Sequence, residues 1–176
     1  MNPDAELAVL PQHKDQAMSM REIAEALRLD SGTHIDKRKI EQRINPKLGQ
    51  LNPLRILLAE DNAVNQKVGL KMLSKIGYEA DVAANGLEVI QALELQPYDV
   101  ILMDIQMPEM DGLTATRKIR KLWPENGPKV IALTAFAMNG GRDMCLEAGM
   151  DGYIAKPVKV EDLVILLSNI THKNEI

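Results

Sequence analysis

From residue 54 onward, the sequence alternates short, almost continuously apolar runs with longer amphipathic stretches. This alternation restricts the possible folds more than any other feature. The apolar runs occupy residues 54–59, 98–103, 130–133 and 152–154. Such runs are typical of strands that are buried on both faces, as in a parallel sheet. Parallel strands need crossover connections, which are right-handed and usually helical. We therefore predict an α/β fold, a doubly wound sheet of five parallel strands alternating with five helices.

Apolar residues recur at helical spacing in three stretches, and we predict an amphipathic helix in each. The repeats are Val64, Val68, Met72 and Ile76 in the first, Leu87, Ile90 and Leu93 in the second, and Leu113, Thr116, Ile119 and Trp123 in the third. Two further helices are predicted at 138–148 and 160–170. The last helix contains Leu163 to Leu167, a run more apolar than one buried stripe requires. Either it contacts another chain or it is covered within the domain.

The first 52 residues have a different character. We predict helices at 14–29 and 35–44, followed by a linker at 45–53 that contains Pro46, Gly49 and Pro53. The chain then divides into a helical N-terminal extension (1–52), an α/β domain (53–172) and a tail (173–176). Residues 20–27 together with 37–39 weakly resemble the first half of a helix-turn-helix, which gives the alternative of a DNA-binding transcriptional regulator.

Charge argues against that alternative. Residues 1–52 contain eight acidic and eight basic side chains, and the remaining residues account for the net charge of −4. A nucleic-acid binder usually has a basic surface. We therefore expect nucleic-acid binding only if a local patch provides it.

The single cysteine, Cys145, excludes an intramolecular disulfide and fits a reducing compartment. We expect it to be a small buried hydrophobic residue. The longest strictly apolar run, Leu163 to Leu167, is far shorter than the roughly 20 residues that a bilayer span needs. The start of the chain lacks the pattern of a secretory signal. These observations lead us to expect a cytoplasmic protein.

Polar side chains follow the predicted strands. Glu60 and Asp61 end the first strand, Asp104 the third, Thr134 the fourth, and Lys156 follows the fifth. In a doubly wound sheet, ligands bind beyond the carboxyl ends of the strands. If the first and third strands are neighbours, their ends lie about 5 Å apart and the carboxylates converge. Two such charges repel by roughly 3 kcal/mol at an effective dielectric constant near 20. The cluster therefore requires a cation or a proton, and an all-oxygen ligand set favours Mg²⁺.

Five strings of residues resemble the receiver domain of two-component response regulators, and most of all the receivers of hybrid sensor histidine kinases. The strings are Ile56–Asn62, Val64–Gln66, Leu102–Gly112, Ala132–Ala135 and Gly149–Pro157. The resemblance covers residues 53–172 and implies a flavodoxin-like sheet with strand order 2-1-3-4-5. It also implies a phosphorelay role in which the chain receives phosphoryl groups and does not generate them.

The resemblance implies a role for each residue at the strand ends. Asp104 matches the phosphoacceptor. The Mg²⁺ ligands would be Glu60, Asp61, Asp104 and the backbone carbonyl of Gln106. Thr134 and Lys156 match the residues that contact the phosphoryl oxygens, and Tyr153 matches the aromatic residue that changes rotamer with Thr134. The Lys156–Pro157 peptide bond is expected to be cis. The structural alternatives are a capping role for Asp104 and a packing role for Tyr153 in its strand.

The implied partner is a histidine kinase or a histidine phosphotransfer domain. We expect such a donor to approach the start of the first helix, near Asn62, Asn65, Gln66 and Gly69. A homodimer through the fourth helix, fifth strand and fifth helix is a further prediction. Gly112 and Gly149 are expected to have geometric roles, and the methionines to fill the core.

Overall fold

The computed structural model describes residues 46–135 and 141–170. In chain order the elements are β1 (Ile56–Ala59), α1 (Ala63–Lys75), β2 (Ala80–Ala83), α2 (Gly86–Leu95), β3 (Val100–Asp104), α3 (Gly112–Leu122), β4 (Lys129–Thr134), α4 (Gly141–Glu147), β5 (Gly152–Ala155) and α5 (Val160–Ser168). The helices predicted at 14–29 and 35–44, the helix-turn-helix resemblance and the tail lie outside the described residues. So does the start of the helix predicted at 138–148.

The five strands form one sheet, all parallel, in the order β2-β1-β3-β4-β5. This confirms the predicted fold class and strand order. β1 and β3 are direct neighbours at the centre of the sheet, with Ala59 paired to Met103. Among the described helices, none is long and apolar enough to cross a bilayer.

Alternating side chains of the central strands divide the apolar interior into two cores. Leu57 and Ile101 belong to the core under α2, α3 and α4. Their neighbours Ile56 and Leu102 belong to the core under α1 and α5. Both strands are therefore covered on both faces, which explains why they are almost continuously apolar. Several methionines line the first core, in agreement with the predicted filling role, namely Met103, Met107, Met110 and Met150.

The buried faces of α1 and α2 differ from the predicted stripes. Val64 and Val68 are 68% and 46% exposed, whereas Leu73 and Ile76 are fully buried. Residues four apart are offset by about 40° around a helix, so the predicted stripe turns away from the sheet over its length. In α2, the buried residues are Gly86, Val89 and Leu93, whereas Leu87 is exposed. Trp123 lies at the C-cap of α3 and not within the helix.

The fifth helix is covered within the domain. Leu163, Val164, Leu166 and Leu167 are buried, and Ile165 is half-buried. The apolar run in this helix is thus accounted for by the core under α1 and α5. No described residue supports the predicted contact with another chain.

Residues 46–53, called the leading segment below, make up most of the predicted linker and are folded onto the domain. They contain a helical turn, Leu48–Leu51, that packs against the core under α1 and α5. Asn52 donates hydrogen bonds from its side chain to the carbonyl oxygens of Leu167 and Ile170, each at 2.9 Å. Gly49, one of the residues that indicated the linker, lies within this docked turn.

Two predicted geometric glycines have the expected roles. Gly149 has φ = +90° at the end of α4, a conformation that favours glycine. A Cβ atom at Gly112 would overlap the backbone carbonyl oxygen of Asp104, so α3 approaches β3 closely at this point. Cys145 is 1% exposed, as expected, and burial raises the pKa of its thiol.

Candidate functional site

The predicted site residues come together at the carboxyl edge of the sheet. Glu60 directly follows β1, Asp104 ends β3, and Lys156 directly follows β5. One carboxylate oxygen from each of Glu60, Asp61 and Asp104 lies within 4.8 Å of the others. Glu60 and Asp104 are buried, whereas Asp61 is exposed. The topology places the two buried carboxylates together because β1 and β3 are adjacent parallel strands.

The start of α1 holds the Glu60 carboxylate. Its Oε1 accepts hydrogen bonds from the Asn65 side chain at 3.0 Å and from the Asn62 backbone N–H at 3.3 Å. Asn62 itself caps α1 by accepting from the N–H groups of Val64 and Asn65. The Gln66 side chain donates to the Glu60 backbone oxygen at 2.7 Å. Glu60 is therefore fixed before any ligand arrives.

Lys156 bridges the two buried carboxylates. Its Nζ lies 2.7 Å from Asp104 Oδ2 and 3.1 Å from Glu60 Oε2. The Lys156–Pro157 peptide bond is cis, as the resemblance implied. The Lys156 backbone N–H donates to the carbonyl oxygen of Thr134 at 2.8 Å, which ties the lysine to the end of β4. The ammonium group thus neutralises part of the carboxylate charge.

The three charged groups shift one another's pKa values. Burial lowers the pKa of Lys156, but hydrogen bonds to Asp104 and Glu60 outweigh burial, so the net shift is upward. Burial also raises the pKa of Glu60, but hydrogen bonds from Asn65 and Lys156 make the net shift downward. For Asp104, burial prevails over the hydrogen bond from Lys156 and raises the pKa. Asp104 is therefore the carboxylate of the pair that takes up a proton more readily.

The loop from β3 to α3 runs beside Asp104. The Gln106 backbone N–H donates to Asp104 Oδ1 at 3.3 Å. Glu109 has φ = 63°, a conformation that is uncommon for a residue with a side chain. The loop ends where Asp111 caps α3 by accepting from the Thr114 backbone N–H at 2.7 Å. The Gln106 carbonyl, predicted as a metal ligand, belongs to this constrained loop.

Thr134 and Tyr153 lie on β4 and β5. Thr134 ends β4 and is buried, and its register partner on β5 is Ala155. Tyr153 is half-buried, pairs with Ala132 and packs against the core under α2, α3 and α4. The structure thus places Thr134 at the same edge of the sheet as Asp104, while Tyr153 lies farther back along β5.

The donor set at this edge fits Mg²⁺. Three carboxylates converge within 4.8 Å of one another, and the backbone N–H of Gln106 contacts one of them from the adjoining loop. Oxygen ligands of this kind suit Mg²⁺, which also keeps several waters for an incoming phosphate. The exposure of Asp61 leaves one side of the cluster open to solvent.

The sequence analysis missed a structural role for two residues of α1. Asn65 and Gln66 were predicted only as part of a donor-binding face, yet both side chains hold Glu60. Their spacing from the Asn62 cap, three and four residues, would have been the signal. Residues at this spacing lie on the same side of a helix, which here points back toward Glu60.

The exposed face of α1 is apolar and basic. Val64 and Val68 are exposed on this helix, whereas Leu73 is buried. The thirteen residues of α1 include Lys67, Lys71 and Lys75 but no Asp or Glu. This helix therefore presents positive charge next to the acidic cluster, on a chain whose net charge is −4.

Comparison with protein families matches residues 56–168 to the response regulator receiver domain. One similar relative is hybrid signal transduction histidine kinase H of Dictyostelium discoideum, 48% identical over 119 residues, which are 65% of this chain and 9% of the relative. Another is histidine protein kinase 1 of Candida albicans, 45% identical over 133 residues, which are 70% of this chain and 5% of the relative. The chain thus spans less than a tenth of the length of these two curated relatives.

Solved structures give the same match. One is the receiver domain of the sensor histidine kinase PA1611 from Pseudomonas aeruginosa, which was crystallised with a magnesium ion in its active-site cleft. It is 46% identical in sequence, with a TM-score of 0.61, and the alignment covers 66% of this chain and 96% of that one. Another is the receiver domain of Ssk1 from Saccharomyces cerevisiae, which was crystallised with the histidine phosphotransfer protein Ypd1. It is 26% identical in sequence, with a TM-score of 0.59, and the alignment covers 64% of this chain and 84% of that one.

Proposed function

The chain belongs to the response regulator receiver domain family, and on that basis we propose that Asp104 accepts a phosphoryl group from a phosphohistidine in a two-component phosphorelay. One observation carries this proposal. Lys156 Nζ lies within hydrogen-bonding distance of both Asp104 and Glu60, which come from the ends of neighbouring central strands. A cap or turn role for Asp104 would not require a lysine from β5 or a second buried carboxylate beside it.

In the proposed reaction, a carboxylate oxygen of Asp104 attacks the phosphorus atom of the donor phosphohistidine. The nitrogen–phosphorus bond breaks, its electron pair returns to the donor imidazole, and an acyl phosphate forms on Asp104. Glu60, Asp61, Asp104 and the Gln106 carbonyl would hold Mg²⁺. The bound ion would neutralise charge on the phosphoryl group during transfer.

Lys156 and Thr134 would contact the phosphoryl oxygens after transfer. A lysine provides a point charge and a threonine provides a hydroxyl donor, and both suit phosphate oxygens. Thr134 lies at the end of β4 next to Asp104 and Lys156 in the strand order, which supports this assignment. We further propose that Tyr153 changes rotamer when Thr134 moves, so that phosphorylation shifts the domain between two conformations.

The partner that we propose is a histidine kinase or a histidine phosphotransfer domain, and its docking surface is the exposed face of α1. The crystal structure of Ypd1 with the Ssk1 receiver domain supports a partner of this kind. Val64 and Val68 would provide apolar contact, and Lys67 and Lys71 would attract acidic residues of the donor. The DNA-binding alternative is not favoured, because the matched relatives are histidine kinases.

The central test is phosphorylation by acetyl phosphate with Mg²⁺, followed by mapping of the modified residue. We expect one phosphoryl group on Asp104 and none in the Asp104→Asn variant. Asp111→Asn is the matched control, because Asp111 is an exposed carboxylate on the same loop and asparagine also caps helices well. Labelling that persists undiminished in Asp104→Asn would remove the assignment.

A second test separates the donor surface from the chemistry. Acetyl phosphate needs no docking surface, so Lys67→Glu with Lys71→Glu should leave its labelling rate unchanged. Transfer from a phosphorylated histidine phosphotransfer domain should slow by about tenfold or more, because two attractive charges become repulsive. Lys121→Glu, on the exposed side of α3, is the control. Equal transfer rates in all three proteins would contradict the assignment of α1 as the docking surface.

A further inference from the structure

The two helices that start at the carboxylate cluster both end at the leading segment. α1 is capped by Asn62, whose backbone N–H donates to Glu60. α5 begins at Val160, shortly after Lys156, which contacts Asp104. Both helices cover the same core and touch each other. They therefore form a pair that runs from the candidate site to the opposite edge of the sheet.

The leading segment contacts the far ends of both helices. At α5, the Asn52 side chain donates to two carbonyl oxygens of the final turn and its continuation. At α1, the Gly49 backbone N–H donates to the carbonyl oxygen of Ile76 at 3.2 Å. Tyr78, which follows α1, donates from its hydroxyl to the Asn52 carbonyl oxygen at 2.7 Å. The two side-chain contacts of Asn52 join residues that are 115 and 118 positions apart in the chain.

At these contacts, the backbone of the leading segment lies directly against the backbone at the end of α1. A Cβ atom at Gly49 would overlap the carbonyl oxygen of Gly77, and a Cβ atom at Gly77 would overlap that of Pro46. Gly77 also has φ = +88°, which favours glycine. Two glycines that face each other in this way make the contact specific, because almost any other residue at either position would separate the segment from the domain.

We propose that the leading segment links the phosphorylation state of Asp104 to the part of the chain that precedes residue 46, through α1 and α5. The inference rests on the proposed function. A phosphoryl group on Asp104 would give Lys156 new oxygen acceptors. Lys156 lies four residues before the start of α5, so a change at Lys156 would shift the start of that helix. A nine-residue helix is about 13 Å long and moves largely as one body. An adjustment at its start therefore reaches the carbonyl groups that Asn52 binds.

The test uses hydrogen–deuterium exchange of the full chain, with and without Mg²⁺ and beryllium fluoride, a mimic of an acyl phosphate. In the unmodified chain, we expect the mimic to change the exchange of amides 49–52 at least severalfold, together with that of amides 102–106. Asn52→Ala should accelerate exchange of amides 49–52 by about tenfold, because it removes two hydrogen bonds. It should also abolish their response to the mimic while leaving the response at 102–106 intact.

Asn169→Ala is the matched control. The Asn169 side chain also donates to a carbonyl oxygen of α5, that of Ile165, but it does not involve the leading segment. This variant should keep the response at amides 49–52. If Asn52→Ala does not fold, Tyr78→Phe removes the other contact to Asn52 and takes its place.

The outcomes distinguish the two proposals. If the mimic changes the exchange of amides 102–106 but not that of amides 49–52, the link is overturned and the acceptor role of Asp104 stands. A response that survives unchanged in Asn52→Ala would also overturn the link. If amides 102–106 do not respond either, the acceptor role fails and the link fails with it.

Discussion

Replacement of Lys156 by methionine should destabilise the protein strongly without a metal ion and much less with Mg²⁺. Lys156 bonds to Asp104 at 2.7 Å and to Glu60 at 3.1 Å. Methionine keeps most of the side-chain volume but removes the charge. The two carboxylate oxygens, within 4.8 Å of each other, then repel by about 3 kcal/mol at an effective dielectric constant of 20. We therefore expect the free energy of unfolding to fall by up to about 3 kcal/mol at pH 7.

The assay is urea unfolding in EDTA and again in excess Mg²⁺. In the variant, no ammonium group competes for the carboxylates, so Mg²⁺ should bind more tightly. A tenfold lower dissociation constant would restore about 1.4 kcal/mol. Lys129→Met is the control. Lys129 pairs with Asp151 at 2.8 Å, but its side chain is 52% exposed, so its removal should cost less than about 1 kcal/mol. If Lys156→Met and Lys129→Met lose the same unfolding free energy in EDTA, or if Mg²⁺ stabilises the two variants equally, the electrostatic reasoning is refuted.

Three further predictions concern the fold. Burial raises the pKa of Tyr78 from 10.0 to about 12, so the folded state holds this proton more tightly than the unfolded state. The stabilisation is complete below pH 10 and is lost as the pH rises toward 12. Tyr78→Phe should therefore lose about 1 kcal/mol less stability than the unmodified chain in urea unfolding between pH 9 and pH 11. Glu88 accepts from the Ala84 backbone N–H at 2.8 Å, one residue before the Asn85 cap of α2. Glu88→Ala should therefore lower the unfolding free energy by about 1 kcal/mol, whereas Glu94→Ala in the same helix should change it by less than about 0.5 kcal/mol. Gly112→Ala should lower the melting temperature by about 10 °C or more, because its Cβ atom would overlap a backbone oxygen of β3; a melting temperature within about 2 °C of the original would show that α3 can move away without cost.

The arrangement of the site was predictable because it depends on strand order. Residues that follow parallel strands meet at one edge of the sheet, so Glu60, Asp104 and Lys156 could be grouped before their distances were known. Their spacing in sequence carries no such information. What could not be predicted is which groups hold these side chains, since the contacts of Asn65 and Gln66 with Glu60 depend on the direction in which α1 leaves β1.

The buried side of α1 was not predictable from spacing alone. A repeat of four follows one side of a helix for only about two turns before it drifts away. Val64 and Val68 therefore face solvent although Ile76, in the same series, is buried. The spacing of apolar residues on the exposed side of α1 is as regular as the spacing on its buried side, so spacing does not identify the buried side.

The packing of the leading segment onto the domain was not predicted, for a different reason. Glycine and proline mark both flexible connections and places where two backbones touch, and the sequence does not distinguish the two cases. The contact of Gly49 with Gly77 joins residues from separate elements, so no local pattern could reveal it.

The burial of Cys145 makes the protein suitable for measurements of local opening by thiol alkylation. With one thiol in the whole chain and 1% of that residue accessible, an alkylating reagent can react only when α4 opens from the sheet. The reaction rate then reports how often this region opens, and the product is a single species of known mass. Alkylation with and without Mg²⁺ would measure whether metal binding at the carboxylates alters the opening of α4.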